Sequence, residues 1–237
     1  MPSVPSAIAL LSGGLDSALA LYMAHAEGWQ IRRALTFDYG QRSAIREIAQ
    51  AQALSQHFGI LHRSLALPWF REWAADSTLL DRTRPLPRPD PLALDSLGLA
   101  RESAKAVWVP NRNGIFIEIA AGFAEHEGAQ AVIVGFNREE AQTFPDNSLE
   151  YLRTITDSLR YSTMHKVAVI SPTSTLDKTE IVRVGKEVGF PFHMLWSCYE
   201  DFARMCGLCE SCQRLKRALR TNGVEYDALF ENSNSQR

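Results

Sequence analysis

The sequence is short of four things, and each shortage closes off a class of function. Charge of one sign is missing: 25 Lys and Arg stand against 27 Asp and Glu, a net charge of −2. No broad basic face is expected, which argues against a nucleic-acid partner held by many phosphate contacts. Long apolar runs are missing too, none approaching the ~20 residues of a membrane span. Met1-Pro2-Ser3-Val4-Pro5-Ser6 has neither the basic start nor the apolar core of a secretory leader, so a cytoplasmic location with no membrane partner is expected. Cysteine is scarce and confined to Cys198, Cys206, Cys209 and Cys212. Finally, neither Gly-x-x-x-x-Gly-Lys-Ser/Thr nor Gly-x-Gly-x-x-Gly occurs, which removes the common ATP loop and the dinucleotide fingerprint. Internal repeats and low-complexity tracts are absent as well.

What is present is an ordinary globular composition: 237 residues, 46% hydrophobic and 22% charged, enough for one large domain or a domain with a small appendage. The chain is organised around Leu11-Ser12-Gly13-Gly14-Leu15-Asp16-Ser17. The apolar run Ala7–Leu11 before it reads as a buried parallel strand, and Ala18–Ala26 after it as a helix. Strand, Gly-Gly turn and helix aim a helix N-terminus and free backbone N–H groups at one point, where an anion binds best. Glycine permits the positive φ and close ligand approach; Ser12, Asp16 and Ser17 can cap the helix or bond the ligand.

Down the chain, strands are expected at 31–37, 61–65, 131–135 and 167–170. Helices are expected at about 43–58, 114–127, 148–160 and, capped by Asp177, through 188. Alternating β and α with short links predicts a five-stranded parallel sheet with helices on both faces. Its ligands would sit beyond the carboxyl ends of the strands, where Ser12–Ser17, Asp38–Arg42 and Gly135-Phe136-Asn137 all fall. The segment of about 66–106 interrupts this rhythm. Pro85, Pro87, Pro89 and Pro91 alternate there, excluding a long element at its centre, and Trp69, Phe70 and Trp73 are read as anchors of the insertion. The α/β domain is taken as 1–190 and a C-terminal metal-binding segment as 191–230, with fraying from about Glu231.

The four cysteines follow C-x7-C-x2-C-x2-C. That spacing brings four thiolates to one point and suits tetrahedral zinc; Gly207 lets one turn curl around the metal. A disulfide reading fits a reducing compartment poorly. An iron–sulfur cluster is the competing occupant, with zinc favoured by the lack of any other redox feature. Four protein ligands leave no open position, so the metal's role would be structural.

Ser12-Gly13-Gly14-Leu15-Asp16-Ser17 resembles the pyrophosphate loop of the N-type ATP pyrophosphatases. That loop taken with the cysteine cluster, Asp38-Tyr39-Gly40-Gln41-Arg42, Val109-Pro110-Asn111-Arg112-Asn113, Asp177-Lys178-Thr179-Glu180-Ile181-Val182 and Ser197-Cys198-Tyr199 is similar to the 7-cyano-7-deazaguanine synthase family, from about residue 8 to 219. The resemblance implies an adenine nucleotide alpha hydrolase-like fold. It also implies an ATP-dependent ligase that converts 7-carboxy-7-deazaguanine and ammonia to the nitrile through an amide, releasing AMP and pyrophosphate. On that resemblance Leu11 through Ser17 bind pyrophosphate, with Mg2+ on the phosphates. Lys178, Arg112 and Asp16 serve catalysis, with the two cations on the triphosphate, Gln41, Arg42, Asn137 and Asp146 hold the acceptor, and the protein is a homodimer. The chain departs from the family pattern at Ser43, where His is expected, at Glu47, shifted by one position, and at Asn147, where Cys is expected.

Other users of such a loop fit less well. Sulfur-inserting tRNA enzymes need reactive cysteines, and all four here belong to the cluster. Charge and length disfavour a tRNA-modifying synthetase, and no glutaminase nucleophile is left over, so free ammonia is the expected nitrogen donor. A related enzyme adenylating a different carboxylate, or conjugating the deazaguanine to another amine, is the catalytic alternative. A non-catalytic binding module is the other, against which the intact Ser12, Asp16, Ser17 and Lys178 count.

Overall fold

The computed structural model describes residues 4–231. Five parallel strands, β1 (Ser6–Leu10), β2 (Gln30–Asp38), β3 (Leu61–Ala66), β4 (Ala131–Ile133) and β5 (Ala168–Ile170), form one sheet in the order β3-β2-β1-β4-β5. The expected α/β architecture with a five-stranded parallel sheet is therefore present. The chain leaves β1 for β2 on one side and reaches β4 on the other, so the central crevice opens where the strand order reverses, beyond the ends of β1 and β4.

Strand alternation distributes the core. Ala7 and Ala9 face a layer built from α1 (Leu15–Ala26), α2 (Ala44–His57), α7 (Lys178–Glu187) and α8 (Glu210–Thr221). Ile8, between them, faces α5 (Arg112–Glu127) and α6 (Leu149–Ser162). All three β1 residues are fully buried, as expected of a strand covered on both faces. Alanines 120, 121 and 124 of α5 and alanines 18, 20 and 24 of α1 are buried; small side chains there let both helices lie close to the sheet.

Boundaries differ from expectation where caps decide them. α5 begins at Arg112, two residues early, because Asn111 takes the left-handed conformation (φ 55°) and turns the chain into the helix. Ser148 caps α6 by accepting the Tyr151 N–H at 3.1 Å. Asp177 and Glu180 form a reciprocal capping box on α7. The β4 ladder ends at Ile133, and the Val134 N–H makes a last bond to Ile170 O at 2.9 Å before Val134 and Gly135 line the crevice.

The proline-bearing centre of the insertion holds only turns and one short 3-10 segment, as expected, but two helices flank it: α3 (Arg71–Ala74) and α4 (Leu97–Val107). Phe70 is fully buried and anchors the insertion with Leu79, Leu80 and Leu86. Trp69 and Trp73 are instead about 40% exposed (38% and 45%) and pack against Phe70 from outside. The C-terminal residues Trp196, Met205, Leu215, Leu219 and Phe230 join the α1/α7 core without a break. Of the expected frayed end, only Glu231 lies within the described residues; its N–H donates to Met205 O at 2.9 Å.

Candidate active site

A cavity of about 260 Å³ opens at the carboxyl ends of β1, β2 and β4. Leu11, Ser12, Gly14, Leu15, Asp16 and Ser17 form its floor. Gly13 makes the turn behind them at φ 78°, where a Cβ would stand 2.9 Å from Gln50 Cβ. The helix after the turn carries no side-chain cap; Gly14 is its N-cap. Of the two roles open to Ser12, Asp16 and Ser17, capping the helix or bonding a ligand, the first is not taken. Ser17 Oγ accepts the Ser12 N–H at 3.2 Å and lies 3.1 Å from Ser12 Oγ, tying the loop to itself. With no cap from its N-cap residue, and with only the Leu15 N–H taken up by a side chain, Ser197 Oγ, the first turn of α1 turns the positive end of its dipole to the cavity.

Two neighbours hold this loop in place. Gly135, after β4, leaves no room for a side chain, since a Cβ there would fall 2.5 Å from Ser17 Cα. From the other side, the Trp196 N–H donates to Gly13 O at 2.9 Å, and Ser197 Oγ accepts the Leu15 N–H at 3.5 Å. The C-terminal segment is therefore part of the loop's scaffold.

Lys178, the first residue of α7, enters the cavity between two carboxylates: its Nζ lies 2.5 Å from Asp16 Oδ2 and 2.7 Å from Glu140 Oε1. Burial disfavours the ammonium, but the two carboxylates outweigh it and hold the lysine charged, well above the usual lysine range. Burial raises the Asp16 carboxyl to about 6, against the pull of Lys178 and with help from the Glu140 charge. Glu140, whose side chain is partly exposed, is held below the usual carboxylate range by Lys178, which outweighs its desolvation. Asp16 Oδ1 is buried without a hydrogen-bond partner. An orphaned acceptor beside an anion-binding loop suits a cation that arrives with the ligand.

The far half of the cavity is flat-walled and aromatic, with Phe37 and Phe116 stacked at 4.2 Å and Trp108 and Phe144 at 6.0 Å. Its polar groups are Tyr39, Glu47, Arg112, Asn113, Asp146 and Asn147. Arg112 donates to Tyr39 Oη at 3.4 Å. Burial opposes its charge, yet Tyr39, Asp146 and Glu47 together hold it well above the ordinary arginine range. Asp146 is pushed up by burial and held back by Arg112.

Asp16, Lys178, Arg112 and Asp146 thus meet in one cavity with the loop, whereas Gln41, Arg42 and Asn137 stand behind its wall. Gln41 accepts the Tyr39 N–H at 2.9 Å and donates to Phe37 O and to Glu47. Arg42 pairs with Glu200 at 3.2 Å and donates to the backbone carbonyls of Asp81 and Arg84. Asn137 accepts the Glu140 N–H at 2.8 Å and so sets the carboxylate that holds Lys178. Gln41 and Asn137 thereby fix residues that line the cavity, Tyr39, Glu47 and Glu140, while the side chain of Arg42 joins segments outside it. Glu140 lies in an irregular segment with no pattern to mark it, and Ser197 is marked only as part of Ser197-Cys198-Tyr199. Glu47 was marked only as an offset from a family pattern.

The four cysteines converge as expected. All are buried and free of disulfides, and their sulfurs lie within 4.8 Å of one another. A tetrahedral zinc with Zn–S bonds of about 2.3 Å needs sulfur separations of about 3.8 Å; Cys206 and Cys212 stand 3.9 Å apart. The N–H groups of Glu200 and Cys206 point at Cys198 Sγ (3.4 and 3.3 Å), and those of Leu208 and Cys209 at Cys206 Sγ (3.4 and 3.3 Å). Such donors stabilise thiolates and orient them toward a metal. The donor set fits a four-coordinate structural ion.

A parallel α/β sheet with an anion loop at its switch point, braced by a knuckle of four cysteines placed to hold a metal, is the frame of a nucleotide-handling protein. The model of the queuosine biosynthesis protein QueC family matches residues 6–223, and the chain belongs to that family. It is 49% identical over 216 residues to the 7-cyano-7-deazaguanine synthase of Desulforudis audaxviator, covering 91% of this chain and 97% of that protein. It is 48% identical over 220 residues to the synthase of the same name from Pelotomaculum thermopropionicum, covering 93% and 99%. Among solved structures, the NMN synthetase of Francisella tularensis is similar at a TM-score of 0.47 and 17% identity, covering 96% of this chain and 80% of that one.

Proposed function

We propose that this protein is an ATP-dependent C–N ligase that converts 7-carboxy-7-deazaguanine and ammonia to 7-cyano-7-deazaguanine. The observation that carries the reading is the union, in one cavity, of an anion loop with a charged lysine and a flat aromatic chamber, in a chain of this family. Ser12, Gly13, Gly14, Asp16 and Ser17 receive the pyrophosphate end of ATP. The acceptor carboxylate attacks the α-phosphorus and pyrophosphate leaves; the loop N–H groups, the α1 dipole and Lys178 stabilise charge growing on that leaving group. Ammonia displaces AMP from the acyl adenylate to give the amide. A second ATP adenylates the amide oxygen with loss of a second pyrophosphate and one amide proton, and departure of AMP with the other amide proton leaves the nitrile. Arg112 orients the acceptor through its carboxylate, and Asp146 completes the polar rim.

Asp16 Oδ1 is the atom we assign to Mg2+, which takes one or two carboxylates plus phosphate oxygens and would neutralise the phosphates when bound. Cys198, Cys206, Cys209 and Cys212 are assigned to zinc, with 191–230 as the zinc-binding segment of an otherwise α/β chain. On the resemblance to the family the protein acts in the cytoplasm as a homodimer, which sedimentation of the purified protein tests. No helix among the described residues is long and apolar enough to cross a membrane. Product analysis tests the chemistry: AMP, not ADP, must accumulate with the acceptor and ammonium present.

A further inference from the structure

One half-buried carboxylate in the cavity has no part in the chemistry above. Glu47, on the first turn of α2, lines the aromatic chamber. Ser43 Oγ donates to its Oε1 at 2.6 Å, and Gln41 Nε2 donates to its Oε2 at 2.9 Å. Both donors are themselves buried, Ser43 to 2% exposure and Gln41 to 4%. Gln41 is in turn locked by the Tyr39 N–H and Phe37 O, so neither carboxylate oxygen is free to rotate. No ion pair ties Glu47 to a cation within 4 Å among the described residues, which leaves each oxygen one unused lone-pair direction.

A carboxylate fixed at both oxygens, beside flat aromatic walls, matches a planar group that offers two parallel N–H donors. On the proposed reading, the only such edge on either substrate is the ring N–H and exocyclic amine of the deazaguanine. Adenine offers an acceptor beside its amine, and a triphosphate offers only acceptors. We propose that Glu47 is the specificity-determining residue for the acceptor base, taking its ring N–H and 2-amino group in a bidentate pair, with Ser43 and Gln41 as positioning residues. This inference rests on the function proposed above. It also accounts for Ser43 and Glu47 as a matched pair: at i and i+4 they meet on one helix face, so the serine hydroxyl reaches the displaced carboxylate. Burial pushes the Glu47 carboxyl up and the two hydrogen bonds hold it back; two N–H donors from a bound base would favour its charged form further.

The test is steady-state kinetics with 7-carboxy-7-deazaguanine and with the same base lacking its 2-amino group, each at saturating ATP and ammonium, and then with ATP varied. Wild type should prefer the amino base by about 10- to 100-fold in kcat/KM, the range expected when a buried acceptor loses its donor. Glu47→Gln should raise the KM for the amino base by about 10-fold or more, leave the KM for ATP within about twofold, and collapse the preference between the two bases. Ser43→Ala keeps the carboxylate but loosens it; a rise of a few fold, confined to the KM of the base, is expected. That variant carries the test if Glu47→Gln does not fold. A wild type that uses both bases equally overturns the inference and leaves the ligase reading intact. So does a Glu47→Gln defect falling on the KM for ATP, which would place the carboxylate on ribose hydroxyls. A wild type that forms no nitrile overturns both.

Discussion

At the scale of single residues, the site is governed by one cation shared between two acids. Lys178 must stay charged while Asp16 and Glu140 compete for it, and burial makes Asp16 the weaker acid of the pair, near 6. Its raised value means that Asp16 takes up a proton as pH falls through about 6, while Glu140, held low, remains ionised. Protonation removes the carboxylate we assign to Mg2+, so kcat/KM for ATP should fall on the acid side with a midpoint near 6. Asp16→Asn should lower kcat/KM by about 100-fold or more and erase that limb. A limb unchanged in the variant would place the titration elsewhere. Lys178→Ala strands two half-buried carboxylates, and we expect kcat to drop by about 100- to 1,000-fold with the fold retained; circular dichroism and turnover on one preparation check both halves. The loop, Lys178 and the cysteines were legible because each has a pattern: glycines between strand and helix, a capping residue before the lysine, a fixed cysteine spacing. Glu140 had none, and Ser197 was marked only by its place in Ser197-Cys198-Tyr199, since long-range packing brings both to the loop.

Among the elements, the anion loop is a joint between three pieces of chain. It follows β1, packs under Gly135 beyond β4, and is stitched by Gly13 O and the Leu15 N–H to Trp196 and Ser197. Gly135→Ala forces a methyl group into the backbone of Ser17, so α1 must move or β4 must yield. A loss of about 2–4 kcal/mol is expected, measured by denaturant unfolding, together with weaker ATP binding. The knuckle acts on the same joint. Cys198 lies one residue after Ser197 and lines the cavity, so removing the metal should loosen the loop from behind. After chelation, hydrogen exchange should speed up at the Trp196 amide as well as at Cys206 and Cys209, and ATP affinity should fall. Protection that persists at Trp196 would uncouple the knuckle from the loop. Helices α4 and α8 were not anticipated: prolines dominated the reading of the insertion and cysteines that of the C-terminus. Yet Leu215, Ala218 and Leu219 are buried on one face of α8 at helical spacing, a pattern that was there to be read.

For the molecule as a whole, the alternation of strands and helices was enough to set the sheet, because a parallel sheet covered on both faces leaves its strands apolar and its links short. It was not enough to show how the insertion and the C-terminal segment close around the crevice, which depends on contacts between residues far apart in sequence. Arg42 is the clearest of these. From the turn before α2 it reaches Glu200 near the knuckle and the carbonyls of Asp81 and Arg84 in the insertion, so one buried guanidinium joins three regions. Arg42→Ala leaves Glu200 and those carbonyls unpaired and should destabilise the protein by about 3–5 kcal/mol, read from thermal or denaturant unfolding.

The central claim, that this assembly adenylates a deazaguanine carboxylate and carries it to a nitrile, is tested most directly by mass spectrometry. The metal-loaded protein is incubated with ATP, ammonium and 7-carboxy-7-deazaguanine, following nucleotide and base together. The account predicts AMP rather than ADP, with the amide mass appearing first and the nitrile mass after it. AMP without nitrile would contradict the assignment of the acceptor, and no acceptor-dependent cleavage of ATP would contradict the account as a whole.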